Sequence, residues 1–391
     1  MKTPMQTRFT VLSCVALGVM SFAPRGHAQS SVTLYGVVDA GLAYNNNAAG
    51  SKLYSQASGS LQSDRWGLRG TEDLGGGLSA LFALEDGFSI SNGKIANGGA
   101  LFGKRAYVGL SSHEAGTVTL GRQYDSVLDF VSRFSVSDDW ATGYGSHPGD
   151  LDNLNNNSSE NNAIKFLSAD YRGFSFGGTY AFGNQAGQFG RNAEWSAGAG
   201  YSHGPFAVGA AYVNARDPNY SFYGNLPSSS TTSSNMTSLI NAGYASAKTL
   251  QIVVAGASYQ LGRLTLGGTY SNTQYQDVGS EAGIAAPGGQ GTARFNNVEV
   301  NAKYQFTPAF RMGITYDWTK GSGINDATYE QAGWGVDYVL SLRTDLYAVG
   351  LYQHASGTDS TGQAARANIY AMTPSSTANQ VAVLIGMRHK F

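Results

Sequence analysis

The chain of 391 residues has one cysteine, nine prolines and charged side chains at only 13% of its positions. A lone cysteine, Cys14, cannot build a disulfide framework. No apolar run reaches the roughly 20 residues that a membrane helix requires; the best stretch, residues 9–22, stops short. There is no phosphate loop, no HExxH and no CxxC. His113, His147, His203, His354 and His389 are scattered without metal-ligand spacing, so no metal or other cofactor is expected. No basic run points to nucleic acid. The chain has 52 glycines, 23 tyrosines and 18 phenylalanines. Scarce charge beside many aromatics excludes a disordered chain, and the class this composition suggests is all-β.

Lys2 and Arg8 precede the apolar stretch, and Gly26-His27-Ala28 follows it with small residues where a signal peptidase reads. Residues 1–28 are therefore expected to be a secretory signal peptide, leaving 29–391 as the mature chain. Cys14 departs with the signal. Losing Lys2, Arg8 and Arg25 leaves 22 basic residues against 26 acidic ones, a net of −4, too mild to select a nucleic-acid or acidic partner.

What the mature chain does contain is alternation. In residues 381–391, Val381, Val383, Ile385, Met387 and Phe391 share one face, interrupted by His389. Ala382, Gly386, Arg388 and Lys390 share the other. Side chains on a strand point alternately to its two faces, so this segment is apolar on one side and polar on the other. That pattern suits a barrel wall between lipid and water. Comparable stretches occur at residues 31–44, 61–70, 78–90, 101–110, 117–124, 162–171, 174–182, 194–202, 206–215, 250–260, 263–271, 294–306, 310–319, 329–340 and 344–354. With the last one the tally is sixteen, joined alternately by tight turns and by long polar loops such as 45–59, 217–248, 272–293 and 356–378. Alternation also explains why the mean hydropathy is only −0.21: apolar and polar neighbours average away. The expected fold is a sixteen-stranded antiparallel transmembrane β-barrel with short turns at one rim and long external loops at the other. Tyr107, Tyr171, Tyr180, Tyr201, Tyr212, Tyr259, Tyr270, Tyr316, Tyr338 and Tyr352, within or near strand ends, fit interfacial girdles, although strand propensity explains part of the pattern.

Four motifs in order sharpen the picture: Leu34-Tyr35-Gly36, residues 65–77 (RWGLRGTEDLGGG), residues 104–110 (KRAYVGL) and residues 120–124 (LGRQY). With the signal segment and the terminal Phe391, they resemble the general trimeric porins of Gram-negative bacteria, betaproteobacterial type, over essentially the whole mature chain. The resemblance implies an outer-membrane homotrimer of water-filled pores passing small hydrophilic solutes and ions, with no cofactor. It implies partners in the lipid bilayer and the outer-membrane assembly machinery, and makes Phe391 the assembly signal. It also implies that residues 125–161 fold inward as a constriction loop, with Arg65 and Arg105 on the wall facing Asp129, Asp138 and Asp139 on the loop. Strand parity agrees, since Arg65 inward turns Trp66 outward, and Arg105 inward turns Ala106 and Val108 outward. Where many relatives carry a further arginine before the strand after this loop, the chain reads Ser158-Ser159-Glu160-Asn161-Asn162, and Val37 stands where some carry a lysine. Weak selectivity leaning toward cations is the resulting expectation, unless Arg69, Lys104, Arg122 and Lys165 compensate. A solute-specific channel, an adhesin or receptor barrel and a barrel enzyme are the alternatives.

Overall fold

The computed structural model describes residues 31–155 and 158–391, so the expected signal peptide, residues 1–28, lies outside the described residues. Seventeen strand segments form one closed antiparallel sheet. They are β1 (Ser31–Ala48), β2 (Ser51–Ser58), β3 (Arg65–Gly75), β4 (Leu78–Gly87), β5 (Arg105–Ser112), β6 (Gly116–Gln123), β7 (Glu160–Ser168), β8 (Phe174–Ala181) and β9 (Glu194–His203). Then follow β10 (Phe206–Arg216), β11 (Thr249–Leu261), β12 (Leu264–Val278), β13 (Gly291–Gln305), β14 (Phe310–Gly323), β15 (Thr328–Ser341), β16 (Thr344–Ser356) and β17 (Asn379–Lys390).

Seventeen segments make sixteen wall strands because β2 and β3 are two halves of one. Both lie along β1, β2 beside residues 40–48 and β3 beside residues 31–37. The break between them is held by two aspartates. Asp39 accepts the backbone N–H groups of Leu61 and Gln62 at 2.8 and 2.9 Å, and Asp64 accepts that of Asp39 at 2.5 Å. The strand is interrupted without leaving these backbone donors unpaired.

Closure joins the two ends of the chain. Residues 37–45 of β1 pair with residues 390–382 of β17. Beyond the last pair, Phe391 donates its backbone N–H to Gly36 and accepts the N–H of Gly36, both at 3.0 Å. A side chain at Gly36 would collide with the Phe391 ring, so glycine there admits the terminal aromatic.

Burial follows the expected alternation most clearly in β14. Met312, Ile314, Tyr316 and Trp318 are exposed on the outer face, while Gly313, Thr315, Asp317 and Thr319 are buried on the inner one. The short-turn rim uses glycine in the left-handed region, at Gly204 and Gly262, to reverse the chain within two residues. Tyr171, Tyr201, Tyr259 and Tyr338 ring that end with their side chains exposed.

Three of the expected boundaries are corrected. Residues 45–59 are not a long loop: β1 runs to Ala48 and turns at Ala49-Gly50 directly into β2. The asparagines there stay in the strand because their amides find partners, Asn45 donating to the Thr373 carbonyl and Asn46 accepting from Val381 N–H. Within residues 272–293, β12 continues to Val278 and β13 begins at Gly291, which leaves a shorter loop. Residues 101–104, expected to open a strand, instead precede β5, which begins at Arg105.

Candidate functional site: the pore constriction

The long segment between β6 and β7 does enter the barrel. It begins with a short helix, α1 (Ser126–Phe130), capped by Asp125, which accepts the N–H groups of Val127 and Leu128 at 2.8 and 3.3 Å. Its apolar face, Val127, Phe130, Val131, Phe134, Leu151 and Leu154, packs on inward residues of β10, β11 and β13, among them Val213, Ile252 and Phe295. These strands are therefore apolar on both faces over part of their length, which blurs their period-two pattern. Further along, Trp140 lies flat over Gly313 and Gly335, where an added Cβ would come within 2.2 and 2.6 Å of its indole. Glycine is required at both places by the close approach of the loop.

A buried ionic cluster fixes the middle of the loop to the wall. His147 Nδ1 is 2.7 Å from Asp152, and its Nε2 is 3.1 Å from Glu299 and 3.5 Å from Asp317. Glu299 also accepts the Ser135 hydroxyl at 2.9 Å and the Val136 N–H at 3.1 Å. Burial alone would lower the pKa of His147, but Asp152 and Asp317, with the hydrogen bonds to Asp152 and Glu299, hold it well above its ordinary value. The imidazolium is thus the counter-charge for buried carboxylates. In the sequence His147 showed only that it lacked metal spacing, and nothing there linked it to Glu299 or Asp317, which lie on distant strands.

On the side the loop leaves open, a cavity of about 1230 Å³ runs between loop and wall. Seven basic side chains line it: Arg65, Arg69, Lys104, Arg105, Arg311, Arg388 and Lys390. Four acidic ones do so: Asp64, Glu85, Asp138 and Asp139. Of the five expected constriction residues, Arg65, Arg105, Asp138 and Asp139 meet here. Arg65 lies 3.5 Å from Glu85 across the neighbouring strand. Arg105 stacks over the Tyr124 ring at 4.9 Å, and Arg69 over Tyr35 at 5.2 Å. Asp139 is held by Lys303 and by Arg311, the latter at 2.8 Å. Asp138 is exposed on the lumen side.

Asp129 is not among the lining residues. Its carboxylate is turned to the wall and pairs with Lys165 at 2.5 Å, so it acts as an anchor of the loop. Lys165 is consumed in that pair and in a 2.9 Å bond to the Tyr124 carbonyl, and cannot enlarge the lumen field. Arg122 is likewise engaged, donating to the carbonyls of Gly103 and Asn225 and to Asn161. Arg69 and Lys104, by contrast, do face the cavity. Arg311, Arg388 and Lys390 had drawn no attention as pore residues. Strand parity alone could have flagged Arg388 and Lys390, which share the polar face of the last strand.

Comparison with known proteins decides the family. The model of the Gram-negative porin family matches residues 13–358. This chain belongs to the Gram-negative porins. The outer membrane porin protein 32 of Delftia acidovorans is 30% identical over 97% of this chain and 99% of its own. An outer membrane porin of Bordetella pertussis is 36% identical over 44% of this chain, spanning about half (48%) of that relative. Among solved structures, an anion-selective porin from Comamonas acidovorans superposes with a TM-score of 0.72 at 24% identity, covering 93% of this chain and all of that one. A trimer form of the outer membrane protein OmpT of Vibrio cholerae is among the other structures of like fold. The porin resides in the outer membrane and provides a channel for diffusing solutes; as a member of this family it is a channel protein and not an enzyme.

Proposed function

We propose that this porin prefers anions, reversing the weak cation preference expected from the acidic loop and the absent arginine. The observation that carries the reading is the charge lining the cavity, seven basic groups against four acidic ones. Pairing removes charge from both sets, since Arg311 meets Asp337 and Arg388 meets Asp345, both at 2.6 Å. Glu85 accepts from Tyr35 and faces Arg65, Asp64 accepts the Asp39 N–H and the Ser58 hydroxyl, and Asp139 lies between two wall bases. The lining cations outside any ion pair are Arg69, Lys104, Arg105 and Lys390. Fixed charge in a narrow channel raises the local concentration of the counter-ion, and the guanidinium groups stay charged at any relevant pH. The similarity to a porin whose description is anion-selective agrees.

In this reading Arg65, Arg105, Asp138 and Asp139 make the constriction, and Asp129 holds it in place. The working unit is a homotrimer in the outer membrane, exported by residues 1–28, with Phe391 as the assembly signal. The deciding experiment is the reversal potential of single channels in a planar bilayer under a salt gradient. A potential of the anion sign, with closure in three steps, is expected. A cation sign would overturn the charge argument, and steps in any other number would overturn the trimer.

A further inference from the structure

Behind the constriction loop, away from the lumen, three carboxylates converge. Asp125 caps the helix where the loop begins, Glu160 starts β7 where the loop ends, and Glu194 starts β9 on the adjoining wall. Each is 1% exposed, and one oxygen from each lies within 4.8 Å of the other two. A second observation concerns their partners. Asp125 accepts from its own helix and from Asn153 Nδ2 at 2.9 Å, but both carboxylate oxygens of Glu160 and Oε1 of Glu194 are fully buried with no donor from outside the cluster, and the two glutamates face each other within hydrogen-bonding range. The cation close enough to act on Glu160, Lys165, has its amine committed to Asp129 and to the Tyr124 carbonyl.

Three buried carboxylates at this spacing cannot all carry charge without a counter-ion. We propose that Asp125, Glu160 and Glu194 form a divalent-cation site of the calcium class that clamps the neck of the constriction loop to the wall. Calcium takes oxygen ligands at about 2.3–2.6 Å, so oxygens sharing one ion stand at most roughly 5.2 Å apart, and the three oxygens here lie within that span. The second oxygens of the two glutamates supply the bidentate contacts that its high coordination number favours. Magnesium binds at about 2.0–2.1 Å and keeps several waters, which suits a closed pocket less well. Because one ligand lies at each end of the loop and the third on the barrel, the ion ties both ends down at one point. This inference does not depend on which ions the pore prefers.

The test uses the purified full-length porin in detergent, freed of lipopolysaccharide and treated with chelator, then titrated with calcium alone. About one calcium retained per chain by elemental mass spectrometry, and a melting temperature that rises with free calcium, are expected. The double variant Glu160→Gln with Glu194→Gln should lose both responses and give a noisier open-channel current. Terbium luminescence on the wild-type porin provides a readout even if that variant fails to fold. An absence of bound calcium together with a melting temperature indifferent to it would overturn the proposal, the carboxylates then holding protons. An equal response to magnesium would overturn the calcium class.

Discussion

The two sides of the constriction use charge in opposite ways. On the anchored side, His147 sits among Asp152, Glu299 and Asp317 with every side chain almost wholly buried. There the charges are matched and dry, and they hold a loop against a wall. On the open side, the seven bases Arg65, Arg69, Lys104, Arg105, Arg311, Arg388 and Lys390 outnumber the four acids that line the same water-filled cavity. There the imbalance itself is useful, because unmatched charge acts on whatever passes. The lesson is that a count of acids along the loop says little about selectivity. Asp129 and Asp152 are spent on fixation, and only Asp138 and Asp139 contribute to the lumen.

The largest effect is expected from breaking the dry side. His147→Ala removes the cation among three buried carboxylates, a loss of about 3–5 kcal/mol by comparison with broken buried pairs. The loop should come off the wall while the barrel remains, seen as protease cleavage within residues 125–161 and fluctuating conductance. Unchanged protease resistance would show that the apolar packing alone suffices. Crowding the Trp140 seat is the next test. Gly313→Val should cost about 1–3 kcal/mol, as overpacking does, and widen or destabilise the pore; a wild-type melting curve would mean that the indole moves at no cost.

The open side should respond in selectivity and hardly in stability. Exchanging Arg65 and Arg105 together for serine is expected to lower the anion-to-cation permeability ratio several-fold with melting unchanged. A reversal potential equal to that of wild type would shift the selecting role to Arg311 and Arg388. The mildest prediction concerns pH. Burial, with the Arg65 guanidinium nearby, pushes the Lys104 amine down to about 8. Raising the pH through that value removes a positive charge from the lumen, so anion preference should fall between neutral pH and pH 9 and recover on return. Lys104→Met should flatten that dependence; a persistent slope would assign it to another group.

Much of the barrel was legible because lipid on one side and water on the other impose a local rule, repeated every second residue. The sixteen strands, the terminal pairing through Phe391, the lumen-facing parity of Arg65 and Arg105 and the inward course of residues 125–161 all follow from that rule or from the family resemblance. Asparagines misled at residues 45–59, because their strand conformation depends on partners near residues 373 and 381 that no local pattern reveals.

What the sequence by itself determined is thus the wall: its strand number, its two faces and its closure. Tertiary structure alone decided the contents of the pore. Whether Asp129 faces solute or Lys165, whether His147 is a bystander or a buried cation, and how many bases surround the cavity depend on contacts between residues on different elements, some more than a hundred positions apart. Electrostatic roles are set by distance and burial, and a sequence displays neither.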